Sequence, residues 1–109
     1  MNKEAAFFKV LSDPTRLMLA VLLSIQGETC VCMLAQAISE SDFKVSRHLG
    51  IMRLRGVVEA RRDGTWMYYR LANPKNQLEK CLLDCFRNCL DKNKTVISAL
   101  KRLKRAKCV

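Results

Sequence analysis

Six cysteines occur in this chain of 109 residues, and five of them fall into two groups. In the first group, Cys30 and Cys32 are separated by a single residue. Thiolates bind soft, thiophilic ions such as As(III), Sb(III) or Cd(II), and two cysteines at this spacing in a non-helical segment before a helix can converge on one ion. They are therefore a candidate chelating pair. The alternative is that both are small, buried apolar residues at a helix start.

The second group consists of Cys81, Cys85 and Cys89, which recur at every fourth residue of one predicted helix. This spacing puts neighbouring thiols about 6 Å apart along the helix axis and the outer two about 12 Å apart, so one helix cannot fold all three around one ion. An adjacent pair can bind a two-thiolate species, or one thiol can complete the site that the first pair begins. Equally, they belong to an apolar stripe of the kind that pairs two helices in a dimer. The stripe consists of Leu78, Cys81, Leu82, Cys85 and Cys89.

The net charge of +10, from 20 Lys and Arg against 10 Asp and Glu, makes nucleic acid the first partner to consider. Half of the residues are hydrophobic, enough to bury one core, so we expect one domain over residues 1–109. No stretch approaches the roughly 20 apolar residues of a membrane span, and the N-terminus carries Glu4 and lacks a signal-peptide core. We therefore expect no membrane partner, a cytoplasmic location and free thiols. Cys108 lies among lysines near the terminus and is expected to be exposed and incidental.

Apolar periodicity predicts four helices in the first half of the chain: over residues 4–11, from 14 until Gly27, from Cys30 or Val31 to 38, and over about 42–54. Asp13-Pro14 supplies a cap and a first-turn proline for the second of them. The fourth is expected to turn Phe43, Val45, Leu49 and Met52 inward. Because a short polar turn joins the third and fourth helices, they predict a helix-turn-helix whose second helix enters the major groove of DNA. Its outward-facing candidates for DNA contact are Lys44, Ser46, Arg47 and His48, with helix packing as the alternative for His48.

The segment after Gly56 predicts one β-hairpin, with strands at 57–62 and 65–71 and a turn at Asp63-Gly64. It follows the helix-turn-helix directly, so it is expected to act as a wing. Arg61, Arg62 and Thr65 are its candidates for contact with phosphates or the minor groove. A solvated basic face is the alternative interpretation.

Asn73-Pro74 is expected to start another helix that runs to about Leu90. Thr95 is expected to cap a last helix, 96–106, whose basic residues face solvent. The elements together predict a mainly α fold with one β-hairpin, a dimeric winged helix-turn-helix with N- and C-terminal dimerisation helices.

Three segments carry a resemblance to a known family: SDPTRLMLAVLL, ETCVCMLAQAI and KVSRHLGIMRLRGVVEARRDGTWMYYRL. Over roughly residues 7–71 the chain resembles the ArsR/SmtB metalloregulatory repressors, most closely those of arsenical-resistance operons. The resemblance implies a homodimer that binds double-stranded operator DNA and releases it when As(III) or Sb(III) binds, with Cd(II) as a further candidate and no organic cofactor. It implies that Cys30 and Cys32 form the sensor and that Ser46, Arg47 and His48 lie in the recognition helix.

The chain departs from this pattern at two places. Arsenical repressors often have an acidic residue and a third cysteine where this chain has Met33 and Ala35, so the third ligand is left open. The family usually carries Gln-Pro where Asp42-Phe43 begins the recognition helix; an aspartate there can accept from cytosine N4. A redox- or persulfide-sensing repressor and a Cd(II) or Pb(II) sensor are the alternatives. The sequence shows no phosphate loop, no histidine beside a cysteine and no evident carboxylate pair. It therefore gives little support for an enzyme.

Overall fold

The computed structural model describes residues 1–108, and that part of the chain forms six helices and a small antiparallel sheet. The elements in chain order are α1 (Asn2–Leu11), α2 (Pro14–Gln26), β1 (Thr29–Cys30), α3 (Val31–Ile38), α4 (Asp42–Leu54), β2 (Val58–Asp63), β3 (Trp66–Leu71), α5 (Gln77–Cys89) and α6 (Lys94–Arg105). This confirms the predicted winged helix-turn-helix. Among residues 1–108 no helix combines the length and the apolarity needed to cross a membrane.

Helix α2 is the centre of the core, as its dense apolar sequence predicts. Leu19 and Leu22 are fully buried, and they are joined by Leu34 of α3 and Leu49 of α4. Asp13 starts α2 because its side chain accepts a hydrogen bond from the backbone N–H of Arg16 at 3.0 Å, which satisfies a free donor of the first turn. The other five helices and strand β3 all contact this helix.

The turn between α3 and α4 depends on two serines. Ser39 has φ +57° and ends α3 in the left-handed region, while the Ser41 hydroxyl accepts from the backbone N–H of Lys44 at 3.1 Å and starts α4. The predicted bounds of α4 are confirmed, but the prediction for Phe43 is wrong, since this side chain is 74% exposed. It lies two residues from buried Val45, about 200° around the helix, and so faces away from the core.

The sheet has the order β1-β3-β2, so the hairpin carries a third strand that the sequence did not predict. Thr29 pairs with Tyr69 and Cys30 with Tyr68. The two-residue turn is Gly64-Thr65 instead of Asp63-Gly64, because Asp63 still pairs with Trp66 at the end of the ladder. Gly64 takes the first turn position with φ +61°, which such a hairpin turn requires.

The last two helices begin at caps other than the predicted ones. Asn76, not Asn73-Pro74, starts α5, because its side chain accepts from the backbone N–H of Glu79 at 2.9 Å. Asn93, not Thr95, starts α6 by accepting from two backbone N–H groups at 3.0 and 3.3 Å. Helix α6 then packs against α2 and α3.

Candidate thiol site and nucleic-acid interface

Cys30 and Cys32 lie where β1 gives way to α3. Cys30 is the last residue of β1 and the N-cap of α3, with extended backbone angles, and Cys32 is the second helical residue. The change from strand to helix turns the two side chains toward each other, and their Sγ atoms are 3.9 Å apart. Cys30 is only 5% exposed, whereas Cys32 is half-buried. The structure thus brings the predicted pair together.

Cys108 joins this pair, and the expectation that it is exposed is wrong, since it is half-buried. The Sγ atoms of Cys30, Cys32 and Cys108 all lie within 4.8 Å of one another, and we call these residues the thiol cluster. Cys32 and Cys108 are placed as a disulfide pair with their Cα atoms 6.1 Å apart, although 76 residues separate them in the chain. The expectation that all six cysteines are free therefore holds only for the other four.

The segment before Cys108 is fixed to α3 by three hydrogen bonds. The Gln36 side chain donates to the Lys107 carbonyl at 2.8 Å and accepts from the Lys107 backbone N–H at 3.2 Å. Arg102 Nε donates to the Ala37 carbonyl at 2.7 Å. Beneath them Ala99 and Leu103 are buried in the core. Sequence periodicity predicts an amphipathic α6, but only its tertiary packing reveals that its end reaches Cys32.

The three cysteines of α5 are exposed, and none of them belongs to the thiol cluster. The sequence had left open whether one of them completes the first site; in this chain the third thiol beside Cys30 and Cys32 is Cys108. The hydrogen bond between Cys85 and Cys89, and next the repulsion between two adjacent thiolates, raise the pKa of the Cys85 thiol above its ordinary value. These two thiols are an adjacent pair of the kind that the spacing predicts.

The outward face of α4 carries Lys44, Ser46 and Arg47, which are all exposed. His48 lies differently: its side chain is 12% exposed, and its Nδ1 is 3.3 Å from Arg16 Nη1 and 3.9 Å from Asp13 Oδ2. The structure therefore places His48 in the packing of α4 on α2, which was the alternative to a DNA contact. The sequence contained a signal for this, because His48 is three residues after buried Val45.

Asp13 is the second residue of that packing contact. The backbone N–H of Arg16, together with the nearby positive charges, lowers the pKa of the Asp13 carboxyl below its ordinary value. Its ionised form therefore caps α2 and faces the guanidinium of Arg16. The contact fixes α4 to the start of α2.

The two candidate arginines of the wing differ in whether they already have an ion-pair partner. Arg62 and Thr65 are exposed at the hairpin end, whereas Arg61 pairs with Glu28 at 2.7 Å and lies 4.8 Å above the Tyr68 ring. The guanidinium of Arg61 lowers the pKa of the Glu28 carboxyl. Arg61 must therefore exchange an existing partner to contact a phosphate, and Arg62 is the freer of the two.

The chain matches the sequence profile of a family described as "Bacterial regulatory protein, arsR family" over residues 13–60. The match runs from the cap of α2 into β2, so it includes the helix-turn-helix together with Cys30 and Cys32. It ends before the turn of the wing and before both C-terminal helices.

Two similar proteins are named for resistance to toxic elements. The chain is 48% identical over 65 residues to an arsenical resistance operon repressor of Escherichia coli K12, covering 60% of this chain and 56% of that protein. It is 40% identical over 81 residues to a cadmium resistance transcriptional regulatory protein, a CadC homolog, of Staphylococcus aureus, covering 72% and 67%. The chain thus spans little more than half the length of the arsenical repressor.

A solved structure supports the same fold over a larger share of the chain. The transcriptional repressor BigR from Xylella fastidiosa superposes with a TM-score of 0.71 at 34% identity, covering 85% of this chain and 89% of that one. Regulators, not enzymes, are thus the class of protein that this chain resembles.

Proposed function

Because this chain belongs to the arsR family of bacterial regulatory proteins, we propose that it is a cytoplasmic, dimeric, operator-binding repressor that releases DNA when As(III) or Sb(III) binds Cys30 and Cys32. One observation carries this proposal. One thiol belongs to the N-cap of α3 and the other to its second residue, and α3 is the helix that packs on the proposed recognition helix α4. A ligand bound by both sulfurs acts directly on the start of the helix-turn-helix.

DNA binding in this proposal uses the exposed face of α4 and the hairpin end. Lys44, Ser46 and Arg47 enter the major groove, while Arg62 and Thr65 contact the backbone or the minor groove. The net charge of +10 supports attraction to a polyanion, and the affinity is expected to fall steeply as the salt concentration rises.

Dimerisation in this proposal uses α1 and α5. Phe8 of α1 is 48% exposed and Leu78 of α5 is 39% exposed, and the α5 cysteines extend the same kind of apolar surface. Large exposed apolar groups on these two helices favour burial against a second copy. Two recognition helices spaced about one turn of DNA would then contact the two halves of an operator.

Ligand binding and DNA binding are linked because each favours a different geometry of the dimer. An ion bound by Cys30 and Cys32 constrains the start of α3, and this constraint reaches α4 because the two helices pack together. A coupling free energy of about 1 to 3 kcal/mol, typical of allosteric proteins, changes operator affinity about 5- to 150-fold.

The test is a titration of As(III), Sb(III) and Cd(II) into the reduced protein bound to its operator. We expect release from DNA in the wild type and none in the Cys30→Ser/Cys32→Ser variant, with Cys81→Ser as a matched control that still releases. If the double variant dissociates as the wild type does, the sensor lies elsewhere. A response to Cd(II) but not As(III) would instead favour the cadmium-sensor alternative.

A second candidate function, a redox-sensing repressor, is favoured by the pairing of Cys32 with Cys108. A hydroperoxide would take two electrons and two protons from the two thiols, which form a disulfide while the peroxide leaves as water and an alcohol. Operator affinity would then depend on the oxidation state without any metal. Binding measured with a chelator present, before and after peroxide, separates this function from ligand sensing.

A further inference from the structure

We propose that Cys108 supplies the third thiolate of the ligand site, so that the segment after α6 closes the site over a trivalent metalloid. This inference rests on the proposed role of Cys30 and Cys32 and adds the ligand that the sequence left open. Within residues 1–108 these three cysteines form the group of potential metal ligands whose atoms converge, since their sulfurs all lie within 4.8 Å of one another.

The spacing of Cys30 and Cys32 fits one ion. Bonds from a metal to thiolate sulfur are about 2.3 Å long in zinc sites, and three such sulfurs spread evenly around an ion lie about 4 Å apart. Cys30 and Cys32 are already 3.9 Å apart. Cys108 reaches Cys32 from the segment after α6, so once this pair is reduced, three thiols from two distant parts of the chain lie close enough for one ion. A donor set of sulfur alone suits soft ions and disfavours hard cations.

The segment that carries Cys108 is ordered by contacts that involve no thiol. Gln36 makes two hydrogen bonds with the backbone of Lys107, the residue before Cys108. Buried Leu103 and the Arg102 bond to α3 fix the preceding turn. Chain ends are usually mobile, and a ligand that must order one loses affinity. Here the third thiol is held beside the first two independently of any ligand.

The α5 thiols do not offer the same completion. Cys81, Cys85 and Cys89 are exposed on a different helix and lie outside the thiol cluster. On α3 itself, the position one turn beyond Val31 is Ala35, which is 1% exposed and has no donor. Cys108 is therefore the thiol that the fold supplies.

Binding in this scheme is an exchange of ligands with no change of oxidation state. In the reduced protein, with Cys32 and Cys108 as thiols, arsenous acid exchanges its three hydroxyl groups for three thiolates. Three As–O bonds break and three As–S bonds form, and each hydroxyl leaves as water with one thiol proton. The closed site then ties the start of α3 to the end of α6.

The experiment compares two arsenicals on the reduced, operator-bound protein. Arsenite can bind three thiols, whereas phenylarsonous acid can bind only two, because one bond of its arsenic is to carbon. In Cys108→Ser we expect the arsenite concentration for half-release to rise at least about tenfold, through loss of an intramolecular ligand. We expect the phenylarsonous acid response to stay at the wild-type value. Cys81→Ser is the matched control and should respond to both as the wild type does.

A second measurement does not depend on DNA. Arsenite-bound and arsenite-free reduced protein are alkylated and analysed by mass spectrometry, and we expect arsenite to lower the alkylation of Cys30, Cys32 and Cys108 but not that of the α5 cysteines. Gln36→Ala, which retains all six thiols, should weaken arsenite binding less than Cys108→Ser does. Wild-type arsenite sensitivity in Cys108→Ser, or alkylation of Cys108 that arsenite does not lower, overturns this inference and leaves the role of Cys30 and Cys32 intact. An unchanged response in Cys30→Ser/Cys32→Ser overturns the proposed function itself.

Discussion

Helices α5 and α6 follow each other in the chain, yet the fold uses the cysteines near them differently. Helix α5 carries three thiols on its exposed side, and Phe86 is its one buried residue. Helix α6 has no cysteine of its own, but it buries Val96, Ala99 and Leu103 and delivers Cys108 to α3. A regular row of thiols on one helix therefore does not make a three-ligand site. Convergence requires a backbone that is held against a second element.

Replacing cysteine by valine in both regions is expected to give the largest contrast. Valine preserves an apolar side chain of similar bulk and removes the thiol. Cys30→Val/Cys32→Val should abolish arsenite-induced release from the operator. In contrast, Cys81→Val/Cys85→Val/Cys89→Val should keep both the release and the dimer, because an apolar stripe does not need sulfur to pack.

Fluorescence anisotropy of a labelled operator and sedimentation of the free protein measure these two properties. Loss of the arsenite response in the α5 variant, with a normal response in the α3 variant, would reverse the roles assigned to the two regions. Dissociation of the α5 variant into monomers would show that its thiols do more than fill space.

Leu103→Ala tests whether α6 is held by its buried face. Leu103 is 2% exposed, so we expect the free energy of unfolding to fall by about 2 to 5 kcal/mol through lost burial and a residual cavity. Lys104→Ala on the exposed side of the same helix should change it by less than about 0.5 kcal/mol. Urea denaturation provides both values. Equal stability of the two variants would mean that α6 is not part of the core.

Arg102→Ala tests the polar part of the same attachment. Loss of the hydrogen bond to the Ala37 carbonyl should cost about 1 kcal/mol and expose Cys108 to faster alkylation in the reduced protein. Arg105→Ala, on an exposed residue one turn away, is the control. If both variants react at the same rate, the Arg102 bond does not hold the chain end.

The pH dependence of Cys85 is the smallest expected effect. Since its hydrogen bond with Cys89 raises the Cys85 pKa, less thiolate is present near neutral pH, and the inflection of its alkylation rate lies above the ordinary thiol value. Cys89→Ala removes the cause, so the inflection should move to lower pH. Mass spectrometry of peptides alkylated across a pH series measures the inflection. Burial in a dimer would slow the alkylation at every pH, but it would not by itself remove the inflection. An unmoved inflection would contradict the Cys85–Cys89 interaction.

The helices were predictable where their signals are local. The bounds of α4 follow from Ser41, the apolar spacing and Gly56, and the outward position of Phe43 was available from the same spacing. The start of α5 was missed because Asn73 and Asn76 are equally good caps by type, and only tertiary contacts decide between them. Strand β1 has two residues, too few for periodicity to reveal.

The candidate site was predictable only in part, because one of its residues comes from a distant part of the sequence. Cys30 and Cys32 are neighbours in the chain, so their spacing reveals them. Cys108 is 76 residues from Cys32 and becomes a neighbour through the packing of α6 on α3, which no local pattern encodes.

The short strand β1 also has a mechanical consequence. Tyr68 pairs with Cys30 on one side and with Arg61 on the other, so one row of the ladder runs from a sulfur of the cluster to a guanidinium of the wing. The row spans two inter-strand spacings, about 10 Å. Backbone hydrogen bonds make such a row stiff across the sheet, and a tilt imposed at Cys30 is carried to the hairpin without passing through the recognition helix.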